Sequence, residues 1–407
     1  MTALLTELKK GKNSFTMIGT AKVGSDTFAG LQQPKNGSTW VSVRSSLPIE
    51  ISEGVTLFPR IEDGYHSNKP MMSRFSATKG EGRINIPFQD RLNKEVIEKV
   101  SKFDLFTAMI EKDDSGKPIT KSFLHGADFE AYLKANLKNG DQIRITGETN
   151  YSYDKDREKV YRNYKVKSVR LNEGYKKNGE DVPPAPASAT INQTYLLEAG
   201  ALSSRWEKDL ESTGKTAINV HVADYVSTVW DGQGYVDVKK TLALPQVIHL
   251  TADPSDETSL KRSKVLAKRL FDAPKRKIRE LNMVVQINEG SETTTANIEI
   301  DKDLQELIDL KLMTEEDVVR QITVLGNRVS EIIFIKPHVK LTDEGNTVID
   351  MDDDKYTLDV LLFPSLEELK KDKDKIEDVK EDLVSKIDNP TDALDDDMFN
   401  NLFKDVI

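Results

Sequence analysis

Alternation of apolar and polar positions is the dominant pattern in this chain, and it is strongest over residues 140–171, GDQIRITGETNYSYDKDREKVYRNYKVKSVRL. Two alternating arms, 142–148 and 159–171, flank a polar tip at 154–158. This is the pattern of paired strands with one face buried. Ile143 and Ile145 point one way. In the second arm Val160, Tyr164 and Val166 share a face, opposite Tyr161, Asn163, Lys165 and Lys167. Tyr151 and Tyr153 climb toward the tip beside that basic face. Rings interleaved with cations suit single-stranded nucleic acid, because rings stack on bases and cations follow phosphates. The same pattern also fits an ordinary solvated hairpin.

Upstream, the pattern predicts a short helix over 3–10, ended by Gly11, and a strand over 14–23. Strong alternation follows over 40–51 and continues over 55–61. Residues 62–83, EDGYHSNKPMMSRFSATKGEGR, lack a period and read as a mobile loop. An extended segment (84–88), a helix (93–100), a hairpin (102–111 with 118–124) and a helix (127–137) come next. The last stops at Asn139-Gly140. Strands, then a helix, then two long closing strands is the order of an OB-fold, a small Greek-key barrel.

Residues 173–192, rich in Pro, Ala and Ser, read as a semi-extended spacer. Beyond it, strands are predicted over 195–202, 215–230 and 235–250, the last two across a turn at 231–234. A basic helix (260–270), a hairpin (277–287 with 293–300), helices at 303–312 and 315–324, and a closing hairpin (329–341 with 355–363) complete the second half. Helix, glycine, long strand, polar tip, long strand occurs at 127–171 and again at 315–363, as in a degenerate duplication. The expected fold class is mainly β with short helices: two tandem OB-fold-like barrels, 1–172 and 193–365. A charged helix and a flexible acidic interaction tail, 366–407, follow them.

Composition narrows the chemistry. The 407 residues contain no cysteine, which excludes disulfides, thiolate nucleophiles and Cys-based zinc sites. No apolar window reaches the roughly 18 residues of a membrane span, and the first residues lack a signal peptide's apolar core. The formal charge of −10 argues against a nucleic-acid binder until its distribution is seen. Residues 388–407 carry six aspartates against the single Lys404, half of that net charge. The five histidines, His66, His125, His221, His249 and His338, have no metal-ligand spacing. No phosphate-binding glycine loop, dinucleotide fingerprint or HExxH is present. The acidic run at 350–354, DMDDD, lacks the glycine and distal Glu of an EF-hand loop and reads as a solvated hairpin tip. No cofactor or metal is expected, and without an acid, base or nucleophile set an enzyme is the weaker hypothesis.

The binding candidates are Trp40, Arg44 and Arg60 on the early strands and Tyr65, Arg74 and Phe75 in the loop. Tyr151, Tyr153, Arg157, Lys159, Tyr161, Arg162 and Lys165 lie on the closing hairpin. In the second half they are Arg205, Trp206, Trp230, Tyr235, Lys239 and Lys240. Phe58 and Tyr164 sit on apolar faces and are expected in the core. Lys261, Arg262, Lys264, Lys268 and Arg269 fit a phosphate track and a solvated basic helix equally well.

With WVSVRSSLPIEI, the Gly- and Lys-rich loop and INIPFQDRLNKEVIEKVSKF in the first half, the 140–171 hairpin, and DDDMFNNLF at 395–403, the chain resembles phage-type replication single-stranded DNA-binding proteins. The resemblance is stronger over 1–172 than over 193–365. It implies a replication or recombination accessory protein acting in the host cytoplasm. It also implies a partner-recruiting tip at Asp395, Asp396, Asp397, Met398, Phe399, Leu402 and Phe403, with a helicase, primase or polymerase as partner. The chain departs from the bacterial tip by continuing past Phe399 to Ile407. The expected function is non-enzymatic, sequence-tolerant binding of single-stranded DNA. The rival is a virion tail or baseplate protein that uses OB barrels as docking modules, since fold does not settle function.

Overall fold

Chain order builds two closed rings of strands. The first uses β1 (Asn13–Ala21), β2 (Leu31–Gln32), β3 (Trp40–Ser46), β4 (Ile49–Ser52), β5 (Val55–Leu57) and β6 (Arg60–His66). A β7 (Met71–Phe75) and β8 (Arg83–Pro87) hairpin, α1 (Lys94–Glu98), a β9 (Phe106–Lys112) and β10 (Pro118–Phe123) hairpin, and α2 (Gly126–Asn136) follow. The long pair β11 (Gln142–Asp154) and β12 (Lys159–Leu171) closes it. After β13 (Tyr175–Lys177) and β14 (Glu180–Val182), the second ring uses β15 (Ser188–Leu197), α3 (Trp206–Thr213), β16 (Lys215–Trp230), β17 (Tyr235–Thr251), α4 (Glu257–Leu266), β18 (Arg279–Thr293) and β19 (Leu325–Pro337). Short strands β20 (Val339–Leu341), β21 (Thr347–Ile349) and β22 (Met351–Asp352) follow. This computed structural model describes residues 4–362 apart from 35–36, 155–156, 158, 178–179, 231–234, 294–304, 306–307, 309–324 and 343.

Both rings have OB-fold connectivity. In the first, β1 pairs β4 and β11, β3 pairs β6, β6 pairs β12 in parallel, and β12 pairs β11. In the second, β15 pairs β16 and β18, β16 pairs β17, β17 pairs β19 in parallel, and β19 pairs β18. Each has its helix, α2 or α4, between the third and fourth ring strands. The fold is mainly β with a few short helices, as the alternation predicts.

The rings are joined by main chain as well as by the connecting segment. One edge of β1 pairs β15 from Asn13 to Ile18 and then β4 from Thr20. Gly19 stands at the switch, where a Cβ would lie 2.2 Å from the Glu50 carbonyl oxygen. One apolar cluster runs from Phe129 and Leu133 under α2, through Phe15, Tyr164 and Tyr195, to Phe271 and Phe334 in the second ring. Where the sequence suggests a spacer over 173–192, the chain forms the β13–β14 hairpin. From Ser188 it is already β15, with Ala189 and Ile191 buried.

Five further expectations are corrected. Residues 4–12 are irregular, not helical. The Leu5 N–H donates to the Lys355 carbonyl (2.8 Å), the Thr357 N–H donates to the Leu5 carbonyl (3.0 Å), and Leu5 and Leu8 pack on the cluster around Tyr356. Burial there outweighs the marginal stability of an isolated short helix. The 62–83 loop is instead the end of β6 and the β7–β8 hairpin, whose Met72 and Ile86 build a small core with Val100, Leu105 and Leu124. Residues 279–293 form one strand rather than half of a local hairpin, with Gly290 paired opposite Val329 inside it. The duplication therefore aligns α4–β18–β19, not 315–363, with α2–β11–β12. Apart from Gln305 and Ile308, which are helical, the helices expected at 303–312 and 315–324 lie outside the described residues, as do the charged segment and acidic tail at 366–407. Phe58, expected in the core, is 58% exposed at the β5–β6 corner.

Candidate nucleic-acid interface

The outer face of the first ring is set by strand parity. On β3 the odd positions Val41, Val43 and Ser45 are buried, so Trp40, Ser42, Arg44 and Ser46 face outward. Trp40 stands opposite His66, Arg44 opposite Glu62 and Ser46 opposite Arg60. Trp40 remains 44% exposed. Its indole lies against Gly64, where a Cβ would approach it within 2.6 Å, and packs edge-on to His66 at 4.9 Å. Gly64 thus seats the ring.

Arg44 and Arg60 share one carboxylate, with Glu62 at 3.1 Å and 3.9 Å. The Arg60 guanidinium also donates to Asn163 on β12 (3.4 Å), which joins β6 to the outward side of the closing hairpin. Lys165 lies opposite Arg60 on that side, and burial holds its pKa below the ordinary lysine value. Farther along β12, Tyr161 is 36% exposed and carries Lys159 over its ring at 5.2 Å. The structure therefore aligns Trp40, Arg44, Arg60, Asn163, Lys165, Tyr161 and Lys159 on one surface, with two rings at its ends and cations between.

Beyond Tyr161 the hairpin meets the second ring. Asp154 pairs in parallel with Trp230, the last residue of β16, and Trp230 stands opposite Tyr235. Tyr153, Arg157, Tyr161, Tyr225 and Trp230 line a cleft of about 490 Å³ at this junction. Nearby, β17 bulges opposite Val226–Thr228. Lys239 adopts φ 49° and pairs with Asp237 at 2.9 Å, while Lys240 lies opposite Val226.

Three sequence candidates are corrected to interior roles. Tyr151 is 5% exposed. Its N–H donates to Asp224 (2.8 Å) and its hydroxyl donates to Gln193 (3.0 Å). It shares parity with Ile143 and Ile145, so it faces the same core. Arg162 shares parity with Tyr164. It pairs with Glu289 of β18 at 3.2 Å, and the Tyr164 hydroxyl donates to the same carboxylate. Arg74 pairs with Asp63 at 2.5 Å and donates to the Leu124 carbonyl at 3.0 Å, which fastens the β7–β8 hairpin to the start of α2.

The other candidates are scattered. Tyr65 is stacked on Phe88 at 4.0 Å, and Phe75 lies under Arg83 on β7–β8. Arg205 and Trp206 begin α3, near the Lys215 end of β16, roughly 50 Å of strand contour from Trp230. Lys264 and Lys268 of the basic segment pair with Glu211 and Glu207 of α3. Three aspartates of the DMDDD run pair with bases: Asp350 with Lys12 and Lys340, Asp353 with the buried Arg279, and Asp354 with Lys277. Tyr225, 51% exposed, escaped the sequence reading, although it shares outward parity with Ala217 and Asn219. The tip residues Asp395 to Phe403 lie outside the described residues. Among the described residues no cluster of His, Asp and Glu could hold a metal ion, and no helix is long and apolar enough to cross a membrane.

No protein-family model and no curated protein matches the chain. Solved structures similar to it include two of the single-stranded DNA binding protein from Thermus aquaticus. A deletion mutant matches with a TM-score of 0.26 and 8% identity, covering 82% of this chain and 97% of that one. The wild type matches with a TM-score of 0.24 and 8% identity, covering 69% and 87%.

Proposed function

We propose that this chain binds single-stranded DNA without sequence preference and without catalysis, as a phage replication or recombination accessory protein in the host cytoplasm. The observation that carries the reading is the outward surface from Trp40 to Tyr161. Arg44, Arg60 and Lys159 follow phosphates there, and Trp40 and Tyr161 stack on bases. The phage context and the recruitment of a helicase, primase or polymerase through Asp395–Asp397, Met398, Phe399, Leu402 and Phe403 rest on sequence resemblance. The division into two barrels, expected at 173–192 and falling before β15 begins at Ser188, belongs to the same proposal.

Each stacked ring is worth about 1–3 kcal/mol. Trp40→Ala and Tyr161→Ala should each weaken binding of fluorescent oligo-dT by that amount, equally for mixed sequences. Glu62→Gln, which frees Arg44 and Arg60 for phosphates, should tighten it, most at low salt. Retention of full affinity by both aromatic variants would remove this surface from the interface.

A further inference from the structure

We propose that the cleft between the rings is a base-binding site that passes the strand from the first barrel to the second, with Tyr225 as the residue of the second barrel that holds it. This rests on the single-strand-binding reading and extends it from one sheet face to a specific junction.

The cleft is built from three strands of two barrels. Tyr153 comes from β11, Tyr161 from β12, and Tyr225 and Trp230 from β16. The main-chain pairing of Asp154 with Trp230 fixes the upper end. The floor is immobilised from below. Tyr151 is tied to Gln193 and Asp224, and Asp224 also accepts from the Tyr225 N–H (3.0 Å) and pairs with Lys10 at 3.0 Å. Buried Val226 completes it. A cleft with so fixed a base does not close on itself when empty. Tyr161 and Tyr225, its exposed rings, then face water, a cost that a stacked base removes.

Size and charge identify the occupant. About 490 Å³ lies within the range of small-ligand sites and admits a planar base with its sugar. The walls are aromatic. The rim carries Arg157 and Lys159, and Lys240 and Lys239 stand beside it on β17, against two carboxylates, Asp154 and Asp237. Aromatic walls with a cationic rim match a base with its phosphate. Tyr161 belongs both to this cleft and to the outer face of the first barrel, so a strand lying on that face reaches the cleft without turning away from the protein.

The test uses the full chain and oligo-dT of two lengths, about 6 nucleotides, within the site size of one OB barrel, and about 30, well beyond it. The shorter strand is satisfied by the first barrel alone. The longer one crosses the junction. Tyr225→Ala should lower affinity for the longer oligonucleotide about tenfold and leave the shorter unchanged; Tyr225→Phe should restore it. Trp40→Ala should weaken both lengths. In a Trp40→Phe, Trp206→Phe background, emission from Trp230 should be quenched more by the longer strand. Equal affinity of Tyr225→Ala and parent for the longer strand, with Trp40→Ala weakened, overturns the cleft and spares the general reading. Equal quenching of Trp230 by both lengths likewise overturns it. Absence of binding by the parent at low salt overturns both.

Discussion

Arg162→Ala separates a structural arginine from a phosphate-contacting one. The Arg162 side chain is 13% exposed and reaches across from β12 to Glu289 of β18, 3.2 Å away. Tyr164 donates to the same carboxylate at 3.2 Å, so Glu289 is held by two groups of the first barrel. Removing one partner of a buried pair costs roughly 3–5 kcal/mol, because the other charge is left desolvated. Glu289 is 24% exposed and retains Tyr164, which places the expected loss near the lower end, about 3 kcal/mol. Replacing both partners, Arg162→Met with Glu289→Leu, should recover most of it, since no charge is then stranded. Urea unfolding monitored by tryptophan emission reads the difference as a shift in midpoint at constant slope. Oligonucleotide affinity of the folded Arg162→Ala protein should match the parent at every salt concentration. If instead the variant is as stable as the parent, and the log–log salt slope of binding falls by about 0.7, Arg162 is a phosphate ligand and the interior assignment is wrong.

Tyr151→Phe should cost about 0.5–1.5 kcal/mol in unfolding free energy, the worth of its bond to Gln193, and leave DNA affinity unchanged; a binding loss would return it to the interface. Protease should cut first within 173–187, where Tyr175 is exposed and only the short β13–β14 hairpin pairs, yet the two pieces should co-elute because β1 pairs with both β11 and β15. Separation of the pieces on gel filtration would contradict that union. Burial lowers the pKa of His125, His221, His249 and His338 in the folded chain. The unfolded chain then binds protons first, so the histidines' contribution to stability should be complete above pH about 7 and be lost as pH drops from about 6.5 through the lower folded values. Urea midpoints that rise between pH 7 and pH 5 would refute this.

Much of the fold was legible in period alone. Strand β16 is predicted with its observed bounds, and α2 with its hairpin β11–β12 is in place. The burial of Tyr151 was legible too, because its parity with Ile143 puts it inward; the neighbouring polar residues suggested otherwise. The bulge at Lys167 was not legible. It arises where Thr146 pairs Ser168 but Gly147 pairs Val166, and only the partner strand creates that mismatch. The second closing hairpin was misplaced because its two strands are separated by a long connection, and Gly290 looks like a turn when its partner Val329 is far away in sequence. The irregular course of residues 4–12 depends on a surface supplied more than 300 residues later, at Lys355 and Thr357. The pairing of Arg162 with Glu289 likewise joins the two barrels and has no local signature.

The central claim is that a strand of DNA lies on the Trp40–Tyr161 surface through stacking and phosphate contacts. Titration of the purified chain with fluorescent oligo-dT at two salt concentrations tests it most directly. The account predicts saturable binding at low salt that weakens as salt rises, with a log–log slope of about −2, as expected if Arg44, Arg60 and Lys159 are the main phosphate contacts. No binding at low salt, or binding indifferent to salt, would contradict it.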